Sequence, residues 1–299
     1  MNLLIIGAKG FIGSNLVRYF SSNEKHVVYG CDIVVDYVAK RYFSVDTLNS
    51  NFSEIFRLVR FDVCINCSGA ASVPDSFVNI HRDYQLNTAN VFLILDAIRK
   101  VSPFCRFMNI SSAAVYGNPP KLPISETSVL MPQSPYAYHK LQGEMLCEEF
   151  NKLHGISTCS LRIFSAYGNG LYKQLFWDVW SKIQCENRIS LFGTGAESRD
   201  FIHVNDIARV VELVIENGKF SASVYNVGNG EEIYIADIVK QFCDFAGWKG
   251  TIQFVQNPRK GDPVNWCADI SAIKHLGYEK IVPIEKGLKD YIRWASELR

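Results

Sequence analysis

Short apolar runs alternate along the first half of the chain with stretches whose apolar residues recur every three or four positions. The runs at 3–6, 26–31, 63–66, 107–110 and 159–163 have the length of buried strands, and the stretches at 11–21, 87–101 and 136–154 have helical spacing. Strand following helix in this way predicts a parallel sheet covered on both faces. The expected fold class is α/β, doubly wound.

After residue 165 the pattern loosens. Glycine-containing loops, AYGNG and FGTGAESRD, surround an amphipathic helix at 175–186; a helix at 206–216 and a short strand at 224–227 follow. Two or three further helices and the loop NPRKGDP occupy 232–299. The pattern predicts a sheet domain over 1–168, on which 200–228 packs back, and a smaller C-terminal substrate lobe made of 169–199 and 229–299. No linker composition separates the two, and no internal repeat is present.

Composition adds exclusions. Thirty-one basic residues against 30 acidic leave a net charge of +1, so no long-range field favours nucleic acid or an anionic membrane, and any bound phosphate must be held locally. The start, MNLLIIGAKG, has neither the basic segment nor the long apolar core of a leader, and no run approaches the ~18 apolar residues of a membrane span. A soluble, cytoplasmic protein is expected. Nine cysteines, scattered through apolar segments, fit reduced thiols. Cys64 and Cys67 have redox or metal spacing but lie inside an apolar run with no second pair, so a structural role and no metal are expected.

The candidate chemistry begins at GAKGFIG, where Gly7, Gly10 and Gly13 lie between a predicted strand and a predicted helix. Glycines there let the backbone turn tightly and approach a pyrophosphate, whose charge the helix N-terminus meets. Asp32 ends the second predicted strand, where a carboxylate can accept hydrogen bonds from an adenosine ribose and would repel a 2′-phosphate. NAD is therefore expected over NADP, with Lys9 as the cation that could offset the repulsion. Farther on, Tyr136 and Lys140 stand four residues apart on one predicted helix face. Such a pair is either solvated decoration or a phenol, of ordinary pKa ~10, with a cation to stabilise its ionised form.

Taken in order, GAKGFIG, Asp32, NCSGAASV (66–73), Asn87, ISSAAVYG (110–117), PYAYHK (135–140), LRIFSAYG (161–168), GTGAESRDFIHVNDIA (193–208), VYNVGNG (224–230) and PRKGDP (258–263) closely resemble the extended short-chain dehydrogenase/reductase family, in particular its nucleotide-sugar epimerases and dehydratases. The resemblance covers nearly the whole chain. It implies a Rossmann sheet in which Gly7, Gly10, Phe11, Ile12, Gly13, Asp32, Ala70, Asn87, Tyr136 and Lys140 bind NAD. Tyr136 would be the catalytic base and acid. Lys140 would bind the nicotinamide ribose and lower the tyrosine pKa, and Ser112 would hydrogen-bond the reacting sugar oxygen. Ser165, Arg199 and Arg259 would hold the diphosphate, although relatives often carry Asn where Ser165 stands.

By the same resemblance, Trp266 would restrict the group at C2 of the sugar unless it is a core residue. Asp206 and Asp262 would brace loops, and His139, where serine is usual, would have no chemical effect. Tyr116 and Tyr138, with no lysine four residues later, would be packing or substrate-wall residues. Relatives pair as homodimers through the helices near Asn87 and Tyr136.

The 4,6-dehydratases of this family place an Asp-Glu pair just after the serine. Here Ala113 and Ala114 stand at those positions, so dehydration is not expected. An epimerase inverting C4 of a nucleotide-diphosphate sugar through a 4-keto intermediate is expected. The alternatives are an NAD(P)H-dependent reductase of a nucleotide-4-keto-sugar and a non-catalytic dinucleotide sensor, the last opposed by Tyr136 and Lys140.

Overall fold

The computed structural model describes residues 1–46, 50–257 and 259–298. Seven parallel strands form its central sheet: β1 (Asn2–Ile6), β2 (Val27–Asp32), β3 (Tyr42–Ser44), β4 (Val63–Asn66), β5 (Arg106–Ser112), β6 (Thr158–Ile163) and, after four short strands of the lobe, β11 (Ser221–Val227). Their spatial order is β3-β2-β1-β4-β5-β6-β11. The chain thus builds outward from β1 to one edge, then returns to β4 on its other side. The carboxyl ends of β1 and β4 diverge there into a crevice, the usual ligand position in an open α/β sheet.

Alternation within β1 divides the core. Leu3 and Ile5 face one layer with Leu16, Phe20 and Val211, while Leu4 and Ile6 face the other with Ile94, Leu95 and Phe107. Both layers are helical. They include α1 (Phe11–Ser21), α2 (Phe52–Leu58), α3 (Val73–Val78), α4 (Ile80–Tyr84), α5 (Asn90–Val101), α6 (Pro135–His154) and, beyond α7 (Gln174–Ile183) of the lobe, α8 (Val204–Asn217). A π-helical turn, Gln85–Ala89, joins α4 to α5.

Local chemistry sets the bounds of α6. Ser134 accepts a hydrogen bond from Ala137 N at 3.2 Å, Pro135 occupies the first turn, and Gly155 ends the helix at φ +68°.

The short strands outside the central sheet are β7 (Ser165–Tyr167), β8 (Arg188–Leu191), β9 (Ser198–Arg199), β10 (Phe201–His203), β12 (Ile233–Tyr234) and β13 (Thr251–Phe254). They pair as β7 with β10, β8 with β13 and β9 with β12. With the helices α7, α9 (Ile235–Phe245) and α11 (Ile284–Ser296) they enclose a third core around Phe176, Phe242 and Tyr291.

Two buried carboxylates fix the lobe's loops. Asp200 accepts from Asn229 N, Gly230 N and Ala268 N at 2.7–3.0 Å, and Asp206 from Ile281 N at 2.6 Å and Val282 N at 3.2 Å. Asp206 therefore braces a loop. Asp262 does not do so through its side chain: its backbone N–H donates to Arg259 O, and its carboxylate acts through charge on Arg199 and Arg259.

A polar network crosses the core between β5, β6, β11 and α6. Arg162 and Glu144, 4% and 6% exposed, form a forked ion pair with a contact of 2.7 Å. Ser111 Oγ donates to the same carboxylate, Arg162 donates to the Tyr116 hydroxyl at 2.8 Å, and that hydroxyl donates to Asn226 at 2.7 Å. Tyr116 is fully buried within this network, which makes it a packing residue, while Tyr138 is turned to solvent.

Candidate active site

The glycine loop leaves β1 and enters α1 directly. Gly7 has φ +80° and donates its N–H to Cys31 O at 2.8 Å, which ties the turn to the end of β2. A Cβ on Gly13 would stand 2.0 Å from Gly7 O, so only glycine lets the helix start so close to the turn. Gly10 caps α1 without a side-chain hydrogen bond, and no acidic residue lies in the first turn. Free N–H groups at the start of this helix face the crevice, the arrangement a diphosphate requires. Gly13→Ala should push α1 off the loop and weaken NAD binding by about tenfold, which is about 1.4 kcal/mol and within the 1–3 kcal/mol typical of overpacking. Calorimetric titration with NAD would measure it.

Asp32 lies at the C-terminal end of β2, beside this loop. Its carboxylate accepts from Lys9 N at 2.8 Å and from Ile33 N at 2.8 Å. The Lys9 ammonium is paired with Asp36, which holds the Asp36 carboxyl well below its usual range. Lys9 is thus engaged by a carboxylate of its own and does not offset Asp32. This favours a ribose hydroxyl over a 2′-phosphate.

Across the crevice the loop after β4 meets the turn between α4 and α5. Asn87 donates to Ala70 O at 3.2 Å, while its Oδ1 is buried without a hydrogen-bond partner among the described residues. A Cβ on Gly69 would lie 2.4 Å from that oxygen and 3.3 Å from Lys140 Nζ, which brings Ala70, Asn87 and Lys140 to one wall. A buried acceptor left unpaired at a site is suited to a ligand donor. With the uncapped α1 N-terminus and Asp32, these residues fit a dinucleotide.

Tyr136 and Lys140 occupy the first turns of α6, with Lys140 Nζ 6.0 Å from the tyrosine ring centre. Lys140 is 7% exposed and donates to Ile110 O at 3.0 Å. Burial pushes its pKa down to about 8, opposed mainly by the Asp83 charge. Tyr136 keeps part of its ring exposed, yet burial of its surroundings pushes its pKa up to about 12. The hydrogen bond with Ser112 draws it down. Within the protein's own field, desolvation is the largest influence on the tyrosine and Ser112 is the group that lowers it. Ser112 also accepts from Ala114 N at 3.2 Å, which fixes its hydroxyl at the end of β5.

The lobe supplies the far wall. Arg199 donates to Ser198 O at 2.8 Å and Val264 O at 3.1 Å, and its guanidinium stands 5.8 Å from the Trp266 ring centre. Arg259 is exposed and lies 4.3 Å over Phe192. Its loop is seated beside α3 and the start of α6, because a Cβ on Gly261 would touch Val73, Phe77 and Ser134. Pro258, in the same motif, lies outside the described residues. Ser165 is partly exposed on β7 and hydrogen-bonds through its N–H to Asp200 O at 2.9 Å.

Trp266 is placed otherwise than a pocket wall: it is 7% exposed, donates to Gly117 O at 3.0 Å and packs on Phe164. It serves chiefly as a core residue and as a shelf for Arg199.

Three residues that sequence reasoning passed over belong here. Lys173 Nζ reaches Ala71 O at 3.2 Å from the lobe, and Asn169 carries a buried, unpartnered Oδ1. Asp83 is hydrogen-bonded to His139 at 2.6 Å. His139 is thus buried and paired one position before Lys140. Among the described residues, no group of three or more His, Cys, Asp or Glu is arranged to hold a metal, and none of the nine cysteines is in a disulfide.

A parallel sheet with a glycine-rich dinucleotide loop at its first turn, facing a Ser-Tyr-Lys set, marks a nicotinamide-dependent enzyme. Residues 3–228 match the NAD dependent epimerase/dehydratase family, and the chain belongs to that family. A Bacillus subtilis (strain 168) protein named uncharacterized UDP-glucose epimerase YtcB is 27% identical over 325 residues, covering 100% of this chain and 99% of that one.

Among solved structures, UDP-glucuronic acid 4-epimerase from Bacillus cereus, in complex with UDP-glucuronic acid and NAD, superposes with a TM-score of 0.91 at 26% identity over 100% of both chains. UDP-glucose 4-epimerase from Thermotoga maritima, with UDP-glucose, gives 0.90 at 26% identity over 100% of this chain and 99% of that one. Among the described residues, no helix is long and apolar enough to cross a membrane.

Proposed function

We propose that the protein is an NAD-dependent nucleotide-sugar 4-epimerase. The observation that carries the reading is the Ser112–Tyr136–Lys140 set at the crevice beside the α1 N-terminus, next to the apolar Ala113 and Ala114. When bound, NAD would supply the acceptor for a hydride that leaves C4 and returns to it, and a positive charge favouring release of the Tyr136 proton.

The protein's own residues then have distinct tasks. Ser112 holds the C4 oxygen and the tyrosine hydroxyl in line. Tyr136 accepts the C4 hydroxyl proton as the keto group forms and gives it back on reduction. Lys140, held by Ile110 O, orients the nicotinamide ribose and keeps a cation behind the phenol. Gly7, Gly10, Phe11, Ile12 and Gly13 cradle the pyrophosphate, Asp32 takes the adenosine ribose, and Ala70 and Asn87 face the nicotinamide half. Arg199 and Arg259, with Ser165, hold the sugar nucleotide's diphosphate while the keto-sugar turns over. Ala113 and Ala114 offer no carboxylate for elimination of water.

The division of labour follows: 1–168 with 200–228 is the NAD-binding body, and 169–199 with 229–299 is the substrate lobe. Exposed apolar residues on α5 and α6, among them Phe92, Leu93, Tyr138 and Met145, support a homodimer through these helices. Nine free thiols fit a reducing, cytoplasmic setting.

The first test is chemical. Protein purified without added cofactor and then denatured should release NAD or NADH. A nucleotide sugar added to the native protein should change absorbance in the reduced-nicotinamide band. Consumption of added NADPH in proportion to a keto-sugar would instead support the reductase reading.

A further inference from the structure

The segment 169–173, directly ahead of α7, reaches both walls of the crevice. At one end Asn15 Nδ2, on α1, donates to Asn169 O at 3.4 Å, and a Cβ on Gly170 would lie 3.9 Å from the Phe11 ring at the start of that helix. At the other end Lys173 Nζ donates to Ala71 O at 3.2 Å, in the loop after β4 that also carries Ala70. One short piece of the lobe thus joins the glycine-loop helix to the wall of Ala70 and Asn87.

The middle of the segment is fastened to the lobe. Leu171, 4% exposed, accepts from the Tyr291 hydroxyl at 2.6 Å, and the Tyr172 ring meets Trp177 and Trp294 at 5.1 and 5.0 Å. The hold on the sheet domain is slighter. Among the described residues Lys173 pairs with no carboxylate, and the bond to Ala71 O is the only one its ammonium makes. Two features, moreover, are costly in the closed arrangement. Gln174, next to Lys173, has φ +68°, a strained conformation for a residue with a side chain, and Asn169 Oδ1 is buried without a partner. Lifting the segment would let the first relax and the second meet water, so opening competes closely with the latch.

We infer that the segment 169–173 is a strap across the cofactor crevice, latched by Lys173 on Ala71 O, that must lift for NAD to enter or leave; the inference rests on the proposed function. An epimerase takes each hydride back from the same cofactor and gains from a strap that retains it. A reductase has to exchange its cofactor at every turnover. Because passage in either direction requires the same opening, the latch slows entry and exit alike and leaves affinity nearly untouched.

The test follows NAD itself, apart from turnover. Protein loaded with 32P-labelled NAD and freed of excess is chased with unlabelled NAD, the label retained on a filter giving the release rate and equilibrium dialysis giving the Kd. Lys173→Met keeps the length of the side chain and removes its charge and donor. It should release NAD about tenfold faster, equivalent to about 1.4 kcal/mol, the scale of a hydrogen bond from a charged group. Its Kd should stay within about twofold of normal, since entry quickens with exit. Lys173→Gln, with a neutral donor, should fall between the two.

Release at the normal rate in Lys173→Met would overturn the inference. So would faster release with the Kd weakened in the same proportion, which would make Lys173 a direct contact of NAD and not a latch. Normal release in a Lys173→Met protein that still epimerises sugar nucleotides would remove the strap alone. Faster release at constant Kd, in a protein that epimerises none, would keep the strap and remove the functional reading.

Discussion

Tyr136→Phe should retain NAD and lose at least ~100-fold in turnover, the lower range for removing a general base or acid. The substitution deletes one oxygen and leaves the ring between Ser112 and Lys140. Lys140 keeps its hydrogen bond to Ile110 O, so the wall that would meet the nicotinamide ribose is preserved. The loss should therefore appear in kcat, with NAD affinity by calorimetry within about twofold of normal. Lys140→Ala differs in kind, because it removes a buried cation from the cofactor wall and should weaken both binding and rate. Turnover near normal in Tyr136→Phe would return the pair to a coincidence of helical spacing.

The largest loss of stability is expected at Glu144. Replacing it by alanine leaves Arg162, 4% exposed, without its counter-charge and strands the Ser111 hydroxyl. Breaking a buried pair from one side costs about 3–5 kcal/mol, far more than the pair's net worth against an apolar replacement. Arg162 keeps its hydrogen bonds to the Tyr116 hydroxyl and the Glu126 carbonyl, and a guanidinium does not give up its proton inside a protein, so the unpaired charge stays buried. Urea unfolding of Glu144→Ala should show the loss directly. Glu148→Ala is the control on the same helix: its pair with Lys152 is 53% and 66% exposed, and removing it should cost less than about 1 kcal/mol.

Elements whose signal is local were legible in the chain. Helix 11–21 and strand 63–66 occur at the bounds their patterns predict, because each has a buried face set by its own residues. The stretch expected as one helix from 87 is instead a π-helical turn, Gln85–Ala89, leading into α5 at Asn90. Apolar spacing cannot register one extra residue in a turn. Strand β3, three residues at the sheet edge, and helices α3 and α4, of six and five residues, are too short to display a period. The small strand pairs outside the central sheet join segments far apart in the chain, 63 residues for Arg188 in β8 and Thr251 in β13, and no local pattern shows them.

The site divides along the same line. The glycine loop, Asp32 and the Tyr136–Lys140 spacing could be read because each motif is contiguous and its chemistry follows from residue type. Asp83 and His139 are 56 residues apart, and Glu144 and Arg162 are 18 apart on different elements, so their pairing exists only in the fold. Trp266 is a residue for which the sequence leaves both a pocket wall and a core position open. The family resemblance implies the wall, and the packing of Phe164 with the hydrogen bond to the Gly117 carbonyl favours the core.

The central claim is that one hydride leaves C4 and returns to the same carbon on its other face. It is tested most directly by incubating the protein with UDP-, dTDP-, GDP- and CDP-sugars in deuterated water and following the anomeric and C4 protons by NMR. The account predicts a C4 epimer that keeps its C4 proton, formed catalytically with no added NADH or NADPH. Deuterium at C4 of the product, or no epimer from any sugar nucleotide, would contradict it.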